Sequence, residues 1–204
     1  SETLQIYAPL ASRLGIAQIK WEMEDLALRE LEPDSYMTIA RQLDERRVDR
    51  QAYVKRVVAL LTAQLAQQGI SAEVTGRAKH INSIYRKMQD KRLSFDQVFD
   101  VRAVRILVAD VGACYSALGV VHSLWKHVAK EFDDYIANPK SNGYQSLHTA
   151  VLGPDGKTLE AQIRSHEMHI HAEFGVAAHW RYKEGNAAAP EQATAGWLQQ
   201  ILQV

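Results

Sequence analysis

Residues 76–92 hold Arg77, Lys79, Arg86, Lys87, Lys91 and Arg92 against a single acid, Asp90. Ser83, Lys87 and Lys91 are spaced by four and so share one face of a helix. Gly76, just before Arg77, lets a ligand approach the backbone. Cationic side chains neutralise a polyphosphate, and an incoming helix N-terminus adds N–H donors. On that reading the segment is a nucleoside triphosphate site. Composition alone favours the alternative, a solvated basic face. The Gly-x-x-x-x-Gly-Lys-Ser/Thr pattern of a P-loop is absent.

Asp100 opens the valine- and isoleucine-rich run Val101–Val108. A carboxylate at a strand edge near a basic cluster suits Mg²⁺, and a turn or cap aspartate fits equally well. Arg102 and Arg105 interrupt this apolar run. Each must point at solvent, an acid or a ligand, because an unpaired buried arginine is costly. Strict alternation turns Asp100 and Arg105 to opposite faces. If both serve one site, Asp100 precedes the regular strand or a bulge intervenes.

Ser146–Leu152 and Thr158–Arg164 flank Gly153-Pro-Asp-Gly156, a strong hairpin signal. Leu159, Ala161 and Ile163 face one way; Thr158, Glu160, Gln162 and Arg164 face the other. Pairing across the turn adds Ser146 and His148 to the polar face, within one residue of register. A half-exposed strand alternates in the same way, with solvent on its polar side. The adjacent loop, Lys140-Ser-Asn-Gly-Tyr-Gln145, offers a cation, an amide, a close-approach glycine and an aromatic ring. Those parts can hold a purine by stacking and edge hydrogen bonds. Glu131, Asp133 and Asp134 read as metal ligands, as charge tuning near phosphates, or as a solubilising loop, with the loop favoured by composition. His166, His169 and His171 lack cysteine partners and clean metal spacing, so a packed or solvated helix suits them better than zinc.

The elements that must carry these residues change character along the chain. Residues 1–70 read as helices: one through Leu4, Tyr7, Leu10 and Leu14; one through Trp21, Leu28 and Leu31; one over 36–47; one over 51–68, capped by Gly69. Glu22, Glu24 and Asp25 are read as a solvated helix face. Then follow a short strand 70–75 broken by Gly76-Arg77, a helix 79–92, the strand 101–108, a helix 111–127, a loop 131–145, the hairpin and a helix 166–184. Residues 186–196 read as a linker and 197–204 as the start of another helix. Helices first and mixed elements later give an α+β fold with an N-terminal helical lobe.

The 204 residues carry 24 basic and 24 acidic side chains, so formal net charge is zero. That excludes a surface devoted to nucleic acid or anionic membrane. No apolar run is long enough to span a bilayer, and the start is not a signal peptide. Cys114 is the sole cysteine, which excludes an intrachain disulfide and reads as a small buried hydrophobe. A cytoplasmic location is expected. The chain enters an amphipathic pattern directly from Ser1, as an excised piece of something longer would.

Six runs in order carry a resemblance: Gly76-Arg-Ala-Lys-His80, Ser83-Ile-Tyr-Arg-Lys-Met88, Phe99-Asp-Val-Arg-Ala-Val-Arg105, Asn142-Gly-Tyr-Gln-Ser-Leu-His148, Glu160-Ala-Gln-Ile-Arg164 and Gly175-Val-Ala-Ala-His-Trp180. Together they resemble the alarmone synthetase domain of the RelA/SpoT family. Residues 1–70, with Ile6-Tyr-Ala-Pro-Leu10 and Arg13-Leu-Gly15, resemble the segment that joins the family's hydrolase domain to that domain. The implied division is a helical segment 1–70, a synthetase domain 71–185 and a linker 186–204. The resemblance also supplies a nucleotidyltransferase-like mixed sheet flanked by helices.

The resemblance implies transfer of pyrophosphate from ATP to the 3′-hydroxyl of GDP or GTP, giving (p)ppGpp and AMP in the stringent response. By the same resemblance Arg77 and Arg105 sandwich the adenine, and Lys79, Ser83 and Lys87 hold the ATP phosphates. Asp100 binds Mg²⁺. Tyr144 stacks on guanine, with Lys140, Asn142, His148 and the Ala172 backbone completing the acceptor pocket. Glu160 acts near the 3′-hydroxyl as general base or second metal ligand. Glu131-Phe-Asp-Asp134 resembles the acidic version of synthesis-only, RelA-like members. Ribosome contact is expected only through C-terminal domains that this sequence lacks, and neither membrane nor direct DNA binding is expected. Two other readings compete. One is a nucleotide-binding regulatory fragment with little turnover. The other is an RNA-binding module built on the basic helix, which net neutrality and the carboxylates Asp100 and Glu160 disfavour.

Overall fold

The structure is a computed structural model that describes residues 2–14, 16–45, 47–77, 79–92, 94–95 and 102–175. Asp100, the linker and the final helix lie outside the described residues. A π-register turn, Thr3–Tyr7, runs directly into α1 (Ala8–Arg13), which carries Pro9 near its start. Then come α2 (Ala17–Leu31), α3 (Pro33–Glu45) and α4 (Arg47–Gln67). The mixed part holds β1 (Ala72–Gly76), α5 (Ile81–Lys91), β2 (Ala103–Val108), α6 (Val111–Leu124), β3 (His127–Asp134), β4 (Leu147–Leu152), β5 (Thr158–Ser165) and α7 (His166–Phe174). The expected α+β fold with a helical N-terminal part is the one observed.

The five strands form one sheet in the order β1-β2-β5-β4-β3. Only β2 and β5 pair in parallel; the other pairs are antiparallel. One sheet face is apolar. Val104, Ile106 and Val108 of β2, Leu159, Ala161 and Ile163 of β5, and Leu147 and Val151 of β4 are fully buried there. They pack against Tyr53, Val57, Leu61 and Leu65 of α4 and Cys114, Ala117 and Val121 of α6. Each such aliphatic side chain contributes about 1.5–3 kcal/mol by leaving water. A second cluster, Ile39, Ile84 and Phe95, ties α3 to α5.

Several boundaries differ from those read in the sequence. The largest difference is β3, which occupies residues expected as a helix end and a loop. It is an edge strand, paired only with β4, and its register shifts between His127 and Phe132. That irregularity, with polar side chains on both faces, erases the alternation that would have marked it. Gly76 ends β1 rather than breaking it and stands opposite Val104 in the register. A Cβ there would sit 2.7 Å from Val54 Cγ1, so glycine lets α4 lie against the sheet edge. Helix α7 ends at Phe174, where Gly175 takes φ +56 and returns its N–H to His171 O at 2.8 Å; residues 176–184 of the expected helix lie outside the described residues.

Candidate active site

The second sheet face is polar and is not given over to solvent. Register aligns Thr75, Arg105, Gln162, His148 and Asp133 in one row across all five strands. Cross-strand partners share a face. One row away, Glu160 stands opposite Ala103 and Ala150. Gln162 and Arg164 are only 4% and 2% exposed. The hairpin places His148 opposite Gln162, on the polar face where the sequence reading put it. Arg77 and Arg105 lie on this same face.

A cavity of about 290 Å³ opens over the row. Lys140, Asn142, Tyr144, His148 and Ala172, the five residues expected around an acceptor base, all line it. The loop that supplies three of them is built by its own hydrogen bonds. Gly143 takes φ +76 and donates to Lys140 O at 2.8 Å, and Lys140 N donates to Tyr144 O at 3.1 Å. Asn142 accepts from Tyr144 N at 3.1 Å and donates to Ser12 O at 3.0 Å, which anchors the loop to α1. A Cβ on Gly143 would come within 3.1 Å of His171 Cε1. Lys140 Nζ sits 4.3 Å from the Tyr135 ring centre and 5.5 Å from that of Tyr144. Burial lowers the Lys140 ammonium pKa, and Asp133 partly restores it.

His148 Nε2 meets the Tyr144 hydroxyl at 2.8 Å and the Gln162 amide nitrogen at 3.2 Å. An amide NH₂ only donates, so with the amide oriented this way Nε2 accepts and the neutral ring keeps its proton on Nδ1. Burial, and then the charges of Arg77, Lys140, Lys79 and Arg164, push His148 down to about 3. Burial likewise raises the Tyr144 phenol. The pocket therefore presents a neutral imidazole and a neutral phenol.

Beside the cavity, Glu160 is held by one residue expected at the adenine, Arg77, and one expected at the ATP phosphates, Lys79. Arg77 Nη1 lies 3.3 Å from Oε1, and Lys79 Nζ bonds Oε2. All three side chains are at most 16% exposed. Ser83 is exposed on α5, one turn before half-buried Lys87. Lys87 pairs with Glu131 at 3.7 Å. Arg105 pairs with Glu173 of α7 at 3.5 Å, and Arg164 Nη2 reaches the same carboxylate at 3.1 Å and His169 Nδ1 at 2.6 Å. Burial and the Arg164 charge lower the Arg105 pKa, with Glu173 opposing.

The acidic run is not the solubilising loop that composition favoured. Glu131 answers Lys87, and Asp133 stands opposite His148. Asp134 accepts from Ile136 N, Ala137 N and the Tyr115 hydroxyl at 3.0, 2.8 and 3.0 Å, so it builds the turn after β3. Nor are Glu24 and Asp25 a solvated face. Glu24 is 7% exposed and lies 3.7 Å from Arg86. Asp25 accepts from Asn82 N at 2.7 Å and pairs with His80 at 3.4 Å, capping α5 from another helix.

Sequence reasoning missed the helical lobe's share of the site. Trp21 stacks on His80 with ring centres 4.7 Å apart, and Arg77 lies 5.9 Å from the indole. Ser12, Lys20 and Trp21 line the cavity. Nothing in a helical apolar pattern separates Trp21 from a core residue. Glu173 was signalled only indirectly, by Arg105 in an apolar strand, which had to meet solvent, an acid or a ligand. Among the described residues no three His, Cys, Asp or Glu side chains converge as a metal site. Glu160 is an oxygen donor suited to a hard cation, and Asp100 lies outside the described residues. No helix among the described residues is long and apolar enough to cross a membrane.

Comparison with known proteins places this arrangement. Residues 76–187 match the family described as the region found in RelA / SpoT proteins. The GTP pyrophosphokinase of Photobacterium angustum is 57% identical over 205 residues, covering 98% of this chain and 28% of that protein. Its Escherichia coli K12 counterpart is 55% identical over the same shares. The bifunctional (p)ppGpp synthase/hydrolase RelA of Mycobacterium tuberculosis is 48% identical, covering 98% of this chain and 28% of that protein. The chain thus spans a little over a quarter of the curated relatives it matches. The small alarmone synthetase 1 of Bacillus subtilis has the same fold. It superposes with a TM-score of 0.55 at 24% identity, over 74% of this chain and 84% of that one. Its complex with its product pppGpp gives 0.53 at 24% identity, over 72% and 84%. With more than half its residues inside the family region and a 57% identical relative matched along 98% of its length, the chain belongs to the RelA/SpoT family.

Proposed function

We propose that the chain is the synthetase part of a GTP pyrophosphokinase, moving pyrophosphate from ATP to the 3′-hydroxyl of GDP or GTP and releasing AMP. The observation that carries this is the cavity holding all five expected acceptor residues beside a carboxylate that two cations already grip. Tyr144 stacks on guanine, and Lys140, Asn142, His148 and the Ala172 backbone fix its edge and phosphates. Arg77 and Arg105 flank the adenine, while Lys79, Ser83 and Lys87 take the ATP phosphates. As phosphate oxygens draw Lys79 away and the adenine engages Arg77, Glu160 is freed to accept the 3′-hydroxyl proton. The O3′–Pβ bond then forms, the Pβ–O bond to the α-phosphate breaks, and AMP leaves with its new negative charge. Asp100 and Glu160 would hold Mg²⁺, which offsets the phosphate charge. The acidic Glu131-Phe-Asp-Asp134 run fits the synthesis-only type. The setting is cytoplasmic, with ribosome contact made by parts of the longer protein.

The test incubates the chain with labelled ATP, GDP or GTP and Mg²⁺. Labelled (p)ppGpp and AMP are expected, with turnover lost about 10²–10⁴-fold in Glu160→Gln and nucleotide binding kept within severalfold. Binding without product in the parent chain would instead mark a regulatory fragment.

A further inference from the structure

Arg77 and Arg105, the arginines expected at the donor base, are each held by a carboxylate. Glu160 of β5 holds Arg77, and Glu173 of α7 holds Arg105 at 3.5 Å. The first acid is taken up by the reaction proposed above; the second has no part in it. Glu173 is the acid paired with Arg105 among the described residues, and the buried Nε of Arg105 makes no hydrogen bond.

Guanidinium charge is crowded on this part of the polar face. Arg105 stands opposite Gln162, so Arg164, two residues further along β5, is its diagonal neighbour. Arg164 is 2% exposed and is fixed by Glu173 Oε1 at 3.1 Å and His169 Nδ1 at 2.6 Å. Burial and the charges of Arg164 and Arg77 lower the Arg105 pKa, and the Glu173 carboxylate opposes them. Without that carboxylate, like-charge repulsion drives the head of Arg105 towards water.

The carboxylate is itself held in place. Ser165 Oγ accepts from Met168 N at 3.2 Å at the start of α7, and Gly175 closes its end. Ala172, one residue before Glu173, lines the acceptor cavity, and the His171 ring lies against Gly143. The last turn of α7 therefore serves both halves of the site. A guanidinium stacks on a base through its flat face, and a long side chain ordered in advance loses less freedom on binding.

We propose that Glu173 is a positioning residue: it holds the Arg105 guanidinium on the polar face for the donor base, and buried Arg164 anchors that hold. The proposal rests on the reading above in which Arg105 meets the donor base.

The test measures binding of α,β-methylene-ATP by calorimetry, which needs no turnover, and steady-state synthesis beside it. Glu173→Gln is expected to weaken the analogue about tenfold and to raise the KM for ATP by the same factor, with kcat and GDP affinity kept within about threefold. In an Arg105→Ala background the same substitution should change the analogue's affinity by less than about twofold, because the group it positions is gone. A purely structural role would weaken ATP and GDP alike and would persist in that background; either result overturns the proposal. Glu173→Asp keeps a counter-charge for Arg164 with a shorter reach to Arg105. Its loss should be intermediate, and it carries the same comparison should Glu173→Gln not fold. An Arg105→Ala variant that binds the analogue as the parent does sinks the donor-site reading and the proposal together. Weakening by Arg105→Ala, with none by either Glu173 variant, sinks the proposal alone.

Discussion

Lowering the pH from 6.5 to 5 should destabilise this chain. His148 is the main reason. In the folded chain it is held neutral, with a pKa of about 3 against an ordinary 6.5. Its Nε2 only accepts, and burial with the charges of Arg77, Lys140, Lys79 and Arg164 opposes an imidazolium. The unfolded chain therefore binds a proton that the folded chain refuses. The stabilisation is complete above pH 6.5 and is lost as pH falls from there towards 3. Each pH unit in that window costs about 1.4 kcal/mol, so pH 5 removes about 2 kcal/mol. That is a large share of the roughly 5–15 kcal/mol of a typical domain. His169, lowered to about 4 by burial and by Arg164, acts in the same direction. It adds less, because a quarter of its side chain is exposed. Urea denaturation followed by tryptophan fluorescence at pH 7, 6 and 5 measures the slope. His148→Gln, which does not titrate, should flatten it by close to one proton. A stability flat from pH 7 to 5, or a slope unchanged in His148→Gln, would refute the argument.

Glu173→Gln strands Arg164 and Arg105 without their shared counter-charge and should cost about 2–4 kcal/mol in urea denaturation, given that Arg164 is buried. Tyr144→Phe loses the hydroxyl bonded to His148 at 2.8 Å, costing about 1 kcal/mol of stability while leaving GDP affinity within about threefold. Tyr144→Ala should lower that affinity at least about tenfold, read by fluorescence titration. Gly76→Ala drives a methyl to 2.7 Å from Val54 and should cost about 1–3 kcal/mol, part of it recovered by adding Val54→Ala.

Much of the site was legible because it rides on period-2 patterning. Leu159, Ala161 and Ile163 alternate with Glu160, Gln162 and Arg164, and the turn at Gly153–Gly156 pins which partner faces which. Putting His148 on the same face as Glu160 and Gln162 needed only those two signals. The basic segment was legible as chemistry but not as geometry: spacing grouped Lys87 with Lys91, whereas the fold brings Lys79 to Glu160 and Lys87 to Glu131. What stayed hidden depended on contacts distant in sequence. Trp21 reaches His80, Asp25 caps α5 and Asn142 reaches Ser12, and no local pattern encodes such a meeting. Strand β3 stayed hidden because an edge strand needs no buried face.

The place of β5 in the sheet also sets when the site can exist. The strand comes last in sequence yet lies in the middle, joining β1–β2 on one side to β4–β3 on the other. Until residues 158–165 arrive, these two pairs have no edge in common. Pairing β5 with β2 closes a loop of more than fifty residues, an entropic cost met late and a source of slow folding. The same strand carries Glu160, Gln162 and Arg164, so closing the sheet and assembling the polar face are a single event. A partly made chain would hold the basic helix and the acceptor loop on separate pieces, unable to act on a nucleotide together before the central strand locks in.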